Sequence, residues 1–421
     1  MTQNPEKLLI LGAYRSEKEI IDEAHRMGLY VIVTDNHENY DDAPAKYLAD
    51  EAWNISWTDM ESLADACRKS GVNGIMAGFS ELRVRAAARL ASILGLPFYA
   101  EGADLTTICE KSLFKSACLA AGVTVPKKYE YGGKIDYPVI VKPADNGGSR
   151  GITICFSPEE LDAAHQKACA ASNNGEALIE QYLSGDEVMI YFSVHNGKAE
   201  FSAMCDRHMK QFDRHITQLP VAYSFPSSHL PSFREKHLES FRKLIASLGI
   251  RNGLIAFQAF AVGEDFIPFD PTYRLDGTMA YHIIEEENGI NVLRLLLNQS
   301  MTGRMGDEDE IAAKESPDFS RPALELPILV GKGTIGSVSG FEEISSMKNV
   351  IHVYQSHCVG DVMKYSADFS QIFCRIHLVA DSVDELAETA EKITSTLTVL
   401  DTEKNDMILF RPTPEEIRGY F

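Results

Sequence analysis

Residues 7 to 95 alternate short apolar runs with amphipathic ones, and no other pattern in this chain constrains the fold so tightly. "KLLILGA" is an apolar run ending in glycine. "SEKEIIDEAHRMG" follows, with Ser16 as a candidate N-cap, helical spacing of Ile20, Ile21, Ala24 and Met27, and a closing glycine. "LYVIVTD" reads as a second strand. "MESLADACRKSG" and "VNGIMAGFSE" repeat the cycle, and "ELRVRAAARLASILG" is a third helix. A strand that is followed each time by a helix must run parallel to its neighbours, because the helix returns the chain to the same end of the sheet. An α/β domain over residues 1–104, a parallel sheet with helices on both faces, is therefore predicted.

Asp35 ends the second strand, where dinucleotide-binding folds place a ribose acid. The glycine fingerprint of those folds is missing, since Ala, Tyr, Arg and Ser follow Gly12. Asp35 is better read as lining a substrate or as structural.

The 421 residues leave room for further domains. "LTTICEKSLFKSACLAAG", 105–122, reads as one helix, stopped by Pro126. Strands are predicted at 138–142, 151–156 and 188–194, with a helix that starts at Ser157-Pro158 between the last two. "SFREKHLESFRKLIASLG" reads as one long amphipathic helix. "GLIAFQAFAVGEDFIPFDPTY" reads as two strands joined at Gly263-Glu264-Asp265. Residues 303–322 are acidic and poor in large apolar residues, so they read as a linker. From 323 to 421 short strands and one helix, "SVDELAETAEKITSTL", suggest a separate α+β domain.

The formal net charge is −21. So acidic a chain repels nucleic-acid backbones and anionic lipid, which excludes both as partners. A site for an anionic nucleotide must then be a local basic exception, with a divalent cation. The eight cysteines form no C-x-x-C pair, and reduced thiols among apolar residues suit the cytoplasm. The polar start, MTQNPEK, and the lack of any 18-residue apolar run also point to a soluble cytoplasmic protein.

The basic exception is found in "YPVIVKPADNGGSRGI". Lys142 should project from a strand end, where an ammonium meets phosphate as a point charge. The loop Asp145-Asn146-Gly147-Gly148-Ser149-Arg150-Gly151 is small enough to bring backbone N–H groups against phosphate oxygens. Taken alone, a plain hairpin turn is the simpler reading of that loop. A second lysine, Lys111, lies in the preceding helix. "ALIEQYLSGDEV" then delivers Glu180, Gln181, Tyr182 and Leu183, with Glu187 beyond Gly185. Backbone there can pair with an adenine edge and Glu187 with ribose hydroxyls, or the segment is an ordinary strand–loop–strand. In "FIPFDPTYRLDG", Asp270 suits a cation and Arg274, four residues on, suits phosphoryl or carboxylate oxygens. "CDRHMKQFDRH" adds Arg207, His208, Lys210 and Arg214, either substrate-contacting or a solvated loop. "IEEENG" reads as an acidic helix face.

The order of these pieces resembles the ATP-grasp superfamily: helix lysine, "VP", strand lysine, Gly-rich loop, E-x-Y-L, G-x-E, then a hairpin ending in acid-x-x-x-Arg. The resemblance covers roughly residues 1 to 300, and the C-terminal part resembles the closing domain of carboxylate–amine ligases and biotin-carboxylase-like members. It implies two lobes that hold ATP between them over 105–302, with a lid lobe at about 125–195. It implies that Lys111 and Lys142 contact the α and β phosphates, and that Asn146, Gly147, Gly148, Ser149 and Gly151 lie over the γ-phosphate. Glu180, Gln181, Tyr182 and Leu183 would receive adenine, Glu187 the ribose, and Arg207 would belong to the nucleotide site. Lys142 and Arg274 would be catalytic, Arg274 steadying the transferred phosphoryl group. The hairpin departs from the family's pattern: Gln258 stands at the first acidic position, Asp270 replaces the second Glu, and Thr272 replaces an Asn. One carboxylate is left where two are usual, so an atypical, weakened Mg²⁺ site at Asp270, Gln258 and Thr272 is expected.

The resulting expectation is an ATP-dependent ligase that activates a small carboxylate as an acyl phosphate and joins it to an amine, releasing ADP and phosphate. Two alternatives stay open. One is a purine-pathway or carboxyphosphate-forming relative, which would need a separate carrier for any carboxylase role because no A-M-K-M tetrapeptide occurs. The other is a non-catalytic ATP-binding sensor. Assembly as a homodimer is open as well.

Overall fold

The computed structural model describes residues 5–144, 151–210, 219–364 and 369–421. The first unit contains β1 (Lys7–Leu11), α1 (Glu17–Arg26), β2 (Tyr30–Thr34), β3 (Glu51–Trp53), α2 (Met60–Ser70), β4 (Gly74–Ala77) and α3 (Glu81–Leu94). Its strands lie in the order β3-β2-β1-β4, all parallel, as the alternation requires. Asp59 caps α2 by accepting from the Ser62 N–H. Ser16 does not cap α1. Its backbone is already helical, and its hydroxyl donates to Glu17 instead. The short β3 carries too little pattern to be read from sequence.

The span read as one helix is two, α4 (Leu105–Cys109) and α5 (Lys111–Ala121), divided where Glu110 takes an extended conformation. Thr106, Thr107 and Ile108 are β-branched and propagate a helix poorly, which favours the break. It sets Lys111 at the very start of α5. A small antiparallel sheet follows: β5 (Lys128–Tyr129), β6 (Val139–Pro143), β7 (Thr153–Cys155) and β8 (Ala177–Gln181), in the order β5-β8-β6-β7. Helix α6 (Pro158–Ala171) covers one face through Leu161, Ala164 and Ala168, which meet Val139, Val141 and Ile179 in a core separate from the main one.

The chain then builds β9 (Asp186–His195), β10 (Lys198–Lys210), β11 (Leu219–Phe225), α7 (Leu230–Lys236), α8 (Leu238–Ser247), β12 (Gly253–Val262) and β13 (Asp265–Thr272). The expected long helix is thus split at His237, whose backbone leaves the helical region. The β12–β13 hairpin pairs Val262 with Asp265, as its turn sequence implied. Next come α9 (Tyr281–Asn288), α10 (Val292–Thr302) and α11 (Glu308–Lys314), the last lying inside the stretch read as a linker. Asp307 caps it through the Glu310 N–H, and Ile311 is buried, enough to order about two acidic turns.

The remainder is β14 (Ala323–Leu329), β15 (Gly333–Ser339), α12 (Phe341–Ser345), β16 (Val350–Gln355), β17 (Val362–Met363), β18 (Ile372–Val379), α13 (Val383–Thr396), β19 (Thr398–Asp401) and α14 (Pro414–Arg418). Strands β14, β18 and β16 extend the central sheet, which runs β13-β12-β9-β10-β11-β14-β18-β16 without a break. The C-terminal segment is therefore continuous with the sheet before it through β11–β14 pairing, Tyr223 opposite Glu325, although it keeps its own apolar cluster. Among the described residues no helix is long and apolar enough to cross a membrane, and all eight cysteines are free thiols.

The main core is centred on the aromatic side chains of the central sheet. Phe257 is fully buried and meets Phe114 of α5, Phe192 of β9 and Phe241 of α8 at ring separations of 6.2, 6.3 and 5.2 Å. Phe257→Ala should therefore destabilise the fold by about 3–5 kcal/mol, the range for a buried aromatic truncation. Urea denaturation of the two proteins checks this, and a shift below about 1 kcal/mol would show that α5 is not fixed by this contact.

Candidate functional site

Strand alternation aims Lys142. Along β6, Val139, Val141 and Pro143 turn inward, while Ile140 and Lys142 take the other face. On the neighbouring β8, Ile179 enters the lobe's core and Glu180, opposite Ile140, shares the face of Lys142. Lys142 Nζ reaches Glu180 Oε2 at 2.7 Å. The other carboxylate oxygen pairs with Lys115 of α5. Lys115 is one helical turn beyond Lys111, so the two share one side of α5, beside the buried Phe114 and Cys118.

Only 2% of Glu180 is exposed. Burial alone would raise its pKa, but Lys142 and Lys115 outweigh burial and hold it below the usual carboxylate range. Desolvation, reinforced by the charge of Lys142, lowers both Lys111, whose surface is exposed but whose surroundings are densely packed, and the half-buried Lys115. Asp270 and Glu180 oppose that shift at Lys111, which places Lys111 between the small sheet and the hairpin. Three ammonium groups thus converge beside one buried carboxylate and one hairpin carboxylate.

On the hairpin, Gln258 and Asp270 are direct cross-strand partners. Asp270 is exposed at its surface, yet it sits among densely packed atoms. That desolvation, followed by the charge of Glu81, raises its carboxyl, while Lys111, Arg274 and Arg207 pull it down. Thr272 continues the strand but is buried. Arg274 lies just beyond the strand, and its Nε donates to Glu81 Oε1 at 2.6 Å. Glu81 opens α3, so the N-terminal unit holds the arginine in place.

Arg207 and Glu187 are partners across β10 and β9 and form an ion pair. Arg207 also donates to Gln258 Oε1 at 3.3 Å and lies over the Tyr223 ring at 5.6 Å. A cavity of about 560 Å³ opens beside this pair, lined by Tyr182, Leu183, Glu187, Arg207, Lys210 and Phe260 among others. Its entrance turns at Gly185, where any Cβ would lie 2.2 Å from the Ala261 carbonyl oxygen. Only glycine brings the hinge so close to β12.

The C-terminal end forms one wall of this cavity. His208 stacks on Tyr420 at 3.9 Å, and Lys210 Nζ stands 3.5 Å from Glu416. The basic run at 207–210 is therefore a set of anchored side chains, while Arg214 lies outside the described residues. Gln181 is exposed at the end of β8. Asn146, Gly147, Gly148 and Ser149 also lie outside the described residues. Gly151 has φ +78°, and a Cβ there would meet Ala171 at 2.6 Å. Asp35 is buried, accepts from the His37 N–H at 2.9 Å, and its own carbonyl accepts from Lys46 at 2.8 Å, which is a structural set of contacts. Glu286 and Glu287 of the acidic run on α9 pair with Arg321.

Lys115 and Glu81 were missed in the sequence. Lys115 had a usable signal, the i+4 spacing from Lys111. Glu81 had none, because its partner is 193 residues away.

The family described as ATP-grasp N-terminal domain matches residues 21–98, and that described as D-ala D-ala ligase C-terminus matches residues 112–216. A formate-dependent phosphoribosylglycinamide formyltransferase from Wolinella succinogenes is 26% identical over 341 residues, 77% of this chain and 85% of that protein. Among solved structures, an L-amino acid ligase from Bacillus licheniformis superposes with a TM-score of 0.75 at 20% identity, over 95% of this chain and all of the other. The biotin carboxylase domain dimer of Hydrogenobacter thermophilus 2-oxoglutarate carboxylase, solved with MgADP, ADP and bicarbonate, superposes at 0.74 with 17% identity, over 94% and 91%. Both family matches fall on the stretches that carry the parallel sheet and the lysine-bearing lobe, and over residues 21–98 and 112–216 the chain is similar to ATP-grasp ligases.

Proposed function

We propose that the protein transfers the γ-phosphoryl group of ATP to a small-molecule carboxylate and then joins the resulting acyl group to an amine. The observation that carries this reading is the convergence of Lys111, Lys115 and Lys142 beside Glu180 and Asp270. In a chain of net charge −21, three ammonium groups sharing two carboxylates at one place suit a polyphosphate.

Lys111, Lys142 and Lys115 take the α and β phosphates, with Asn146 to Gly151 assigned to the γ-phosphate on the resemblance. Adenine enters the cavity at Tyr182 and Leu183, beside Glu180 and Gln181, and the ribose lies toward Glu187 and Arg207. In the first step a substrate carboxylate oxygen attacks the γ-phosphorus, the bond to the β-phosphate oxygen breaks, and ADP leaves. In the second step the amine attacks the acyl carbon, a C–N bond forms, and the C–O bond to phosphate breaks. The amine's proton passes to solvent or to the released phosphate. Arg274, held by Glu81, steadies the transferred phosphoryl group, and closure of the small-sheet lobe, β5 to β8 with α6, keeps water from the acyl phosphate.

The residues fit a divalent cation through Asp270 with the nucleotide's own oxygens. Gln258 brings no charge, and its carbonyl oxygen already accepts from Arg207. The site is thus proposed to be weaker than a two-carboxylate one. Mg²⁺, when bound, would neutralise phosphate charge there. Residues 1–104, 105–302 and 323–421 are proposed as the working units, joined by 303–322. A homodimer in the cytoplasm is the proposed setting, in keeping with eight reduced cysteines and the dimeric biotin carboxylase domain.

A purine-pathway variant of the same chemistry is favoured by the formyltransferase relative. Phosphate release with Mg²⁺-ATP, measured across carboxylate–amine pairs and with formate plus phosphoribosylglycinamide, decides between them. Under either reading ADP should form, and hydroxylamine should trap a hydroxamate from the active carboxylate. AMP and pyrophosphate would exclude both, and ATP binding without any turnover would favour a sensor.

The raised carboxyl of Asp270 gives a pH signature. The cation needs the ionised form, and burial with Glu81 favours the protonated one. The apparent kcat/KM for Mg²⁺ should therefore fall on acidification through a midpoint above about 3.9, the ordinary Asp value. Asp270→Asn should abolish turnover and leave adenine binding in place. Full turnover in that variant would remove the hairpin from the mechanism.

A further inference from the structure

Away from the nucleotide cleft, three histidines and a glutamate converge from four elements. Glu19 lies on α1, His282 on α9, His352 on β16 and His377 on β18. The rings of His282 and His352 stack at 3.7 Å, 22° from parallel. His352 and His377 are direct cross-strand partners, and the His377 ring stands 5.6 and 5.7 Å from the other two. The Glu19 carboxylate lies across the stacked pair, with Oε2 3.0 Å from His282 Nε2 and Oε1 3.5 Å from His352 Nε2. The three ligand atoms of Glu19, His282 and His352 all lie within 4.8 Å of one another.

Two observations set this apart from an ordinary buried ion pair. His352 Nε2 is buried and has no hydrogen-bond partner among the described residues, because its approach to Glu19 is long and poorly directed. A buried imidazole nitrogen without a well-formed hydrogen bond, whichever tautomer it carries, is rare inside proteins. His377, fully buried, donates from Nε2 to the Thr278 carbonyl oxygen at 2.7 Å. That bond fixes the proton on Nε2 and leaves Nδ1 as a buried lone pair with no partner among the described residues.

A tetrahedral cation with ligands at about 2.0–2.1 Å separates them by roughly 3.3 Å; the two carboxylate–imidazole distances, one to each Glu19 oxygen, lie near that edge, and the stacked rings fan apart when both nitrogens turn to one ion. Imidazole with carboxylate suits zinc-class ions; magnesium and calcium prefer oxygen alone. We propose that Glu19, His282 and His352 form a binding site for a divalent transition-metal ion of the zinc class, joining α1 to the C-terminal strands. The site is separate from Asp270 and shares no residue with the nucleotide cleft.

The test uses the full chain, stripped by chelator and titrated with Co²⁺ and then Zn²⁺ without nucleotide. About one Co²⁺ per chain should bind, with the intense visible absorption of a four- or five-coordinate ion bearing imidazole, and Zn²⁺ should displace it. Zinc should also raise the thermal midpoint, because the unfolded chain lacks the assembled ligands. Asp270→Asn should bind as wild type does, His282→Ala/His352→Ala should lose the signal, and Glu19→Gln, which preserves shape, should weaken zinc by tenfold or more. No stoichiometric binding by wild type would overturn the site. So would equal binding by the double-alanine or Glu19→Gln proteins, since the ion would then lie elsewhere.

Discussion

Three lysines cannot be crowded into one partly buried corner unless something holds their charges apart, and here that is Glu180. Its two carboxylate oxygens are divided between Lys115 and Lys142, one from a helix and one from a strand of the small sheet. The ion pair therefore ties the small sheet to α5, and α5 is seated in the main core by Phe114. A phosphate entering this corner competes with Glu180 for the same ammonium groups. On the proposed nucleotide assignment, the carboxylate keeps the lysines together before nucleotide arrives and yields part of them afterwards.

The packing around this corner divides the molecule mechanically. The small sheet and α6 bury eight side chains in a core of their own, whereas the N-terminal unit shares a continuous core with the central sheet. A lobe with a private core can shift as a body without opening the main one. The N-terminal unit has no such freedom, which suits it to hold Arg274 through Glu81. The functional division therefore follows from which apolar clusters are continuous, and the sheet order alone would not have revealed it.

Sequence carried the periodic features well. The parallel sheet, the β12–β13 turn, Lys142 near a strand end and the Pro158 helix start all follow from local pattern, and each was found as read. Local pattern failed where a single residue breaks regularity. Glu110 and His237 are ordinary helix residues by propensity, yet both sit at breaks where their own backbone leaves the helical region. Pattern also failed across long separations. Tyr223 opposite Glu325 carries the central sheet into the C-terminal segment, and Tyr420 closes a cavity opened by Tyr182. Neither pairing has a signature in either stretch of chain, because each is fixed by strand order and not by spacing.

The glutamine at 258 becomes intelligible once its neighbours are known. Arg207 is 6% exposed, and its guanidinium has one charge to match. Glu187 supplies the matching carboxylate directly across the strand pair, and Gln258 adds a neutral carbonyl oxygen. A carboxylate at 258 would face the same guanidinium and place a second negative charge near Glu187 and Asp270 with no further cation from the sheet. An amide there satisfies the arginine without adding charge. The substitution that looks like a missing metal ligand in the sequence is thus also a hydrogen-bond acceptor that keeps a buried arginine paired, and it leaves Asp270 as the hairpin carboxylate that faces Lys111.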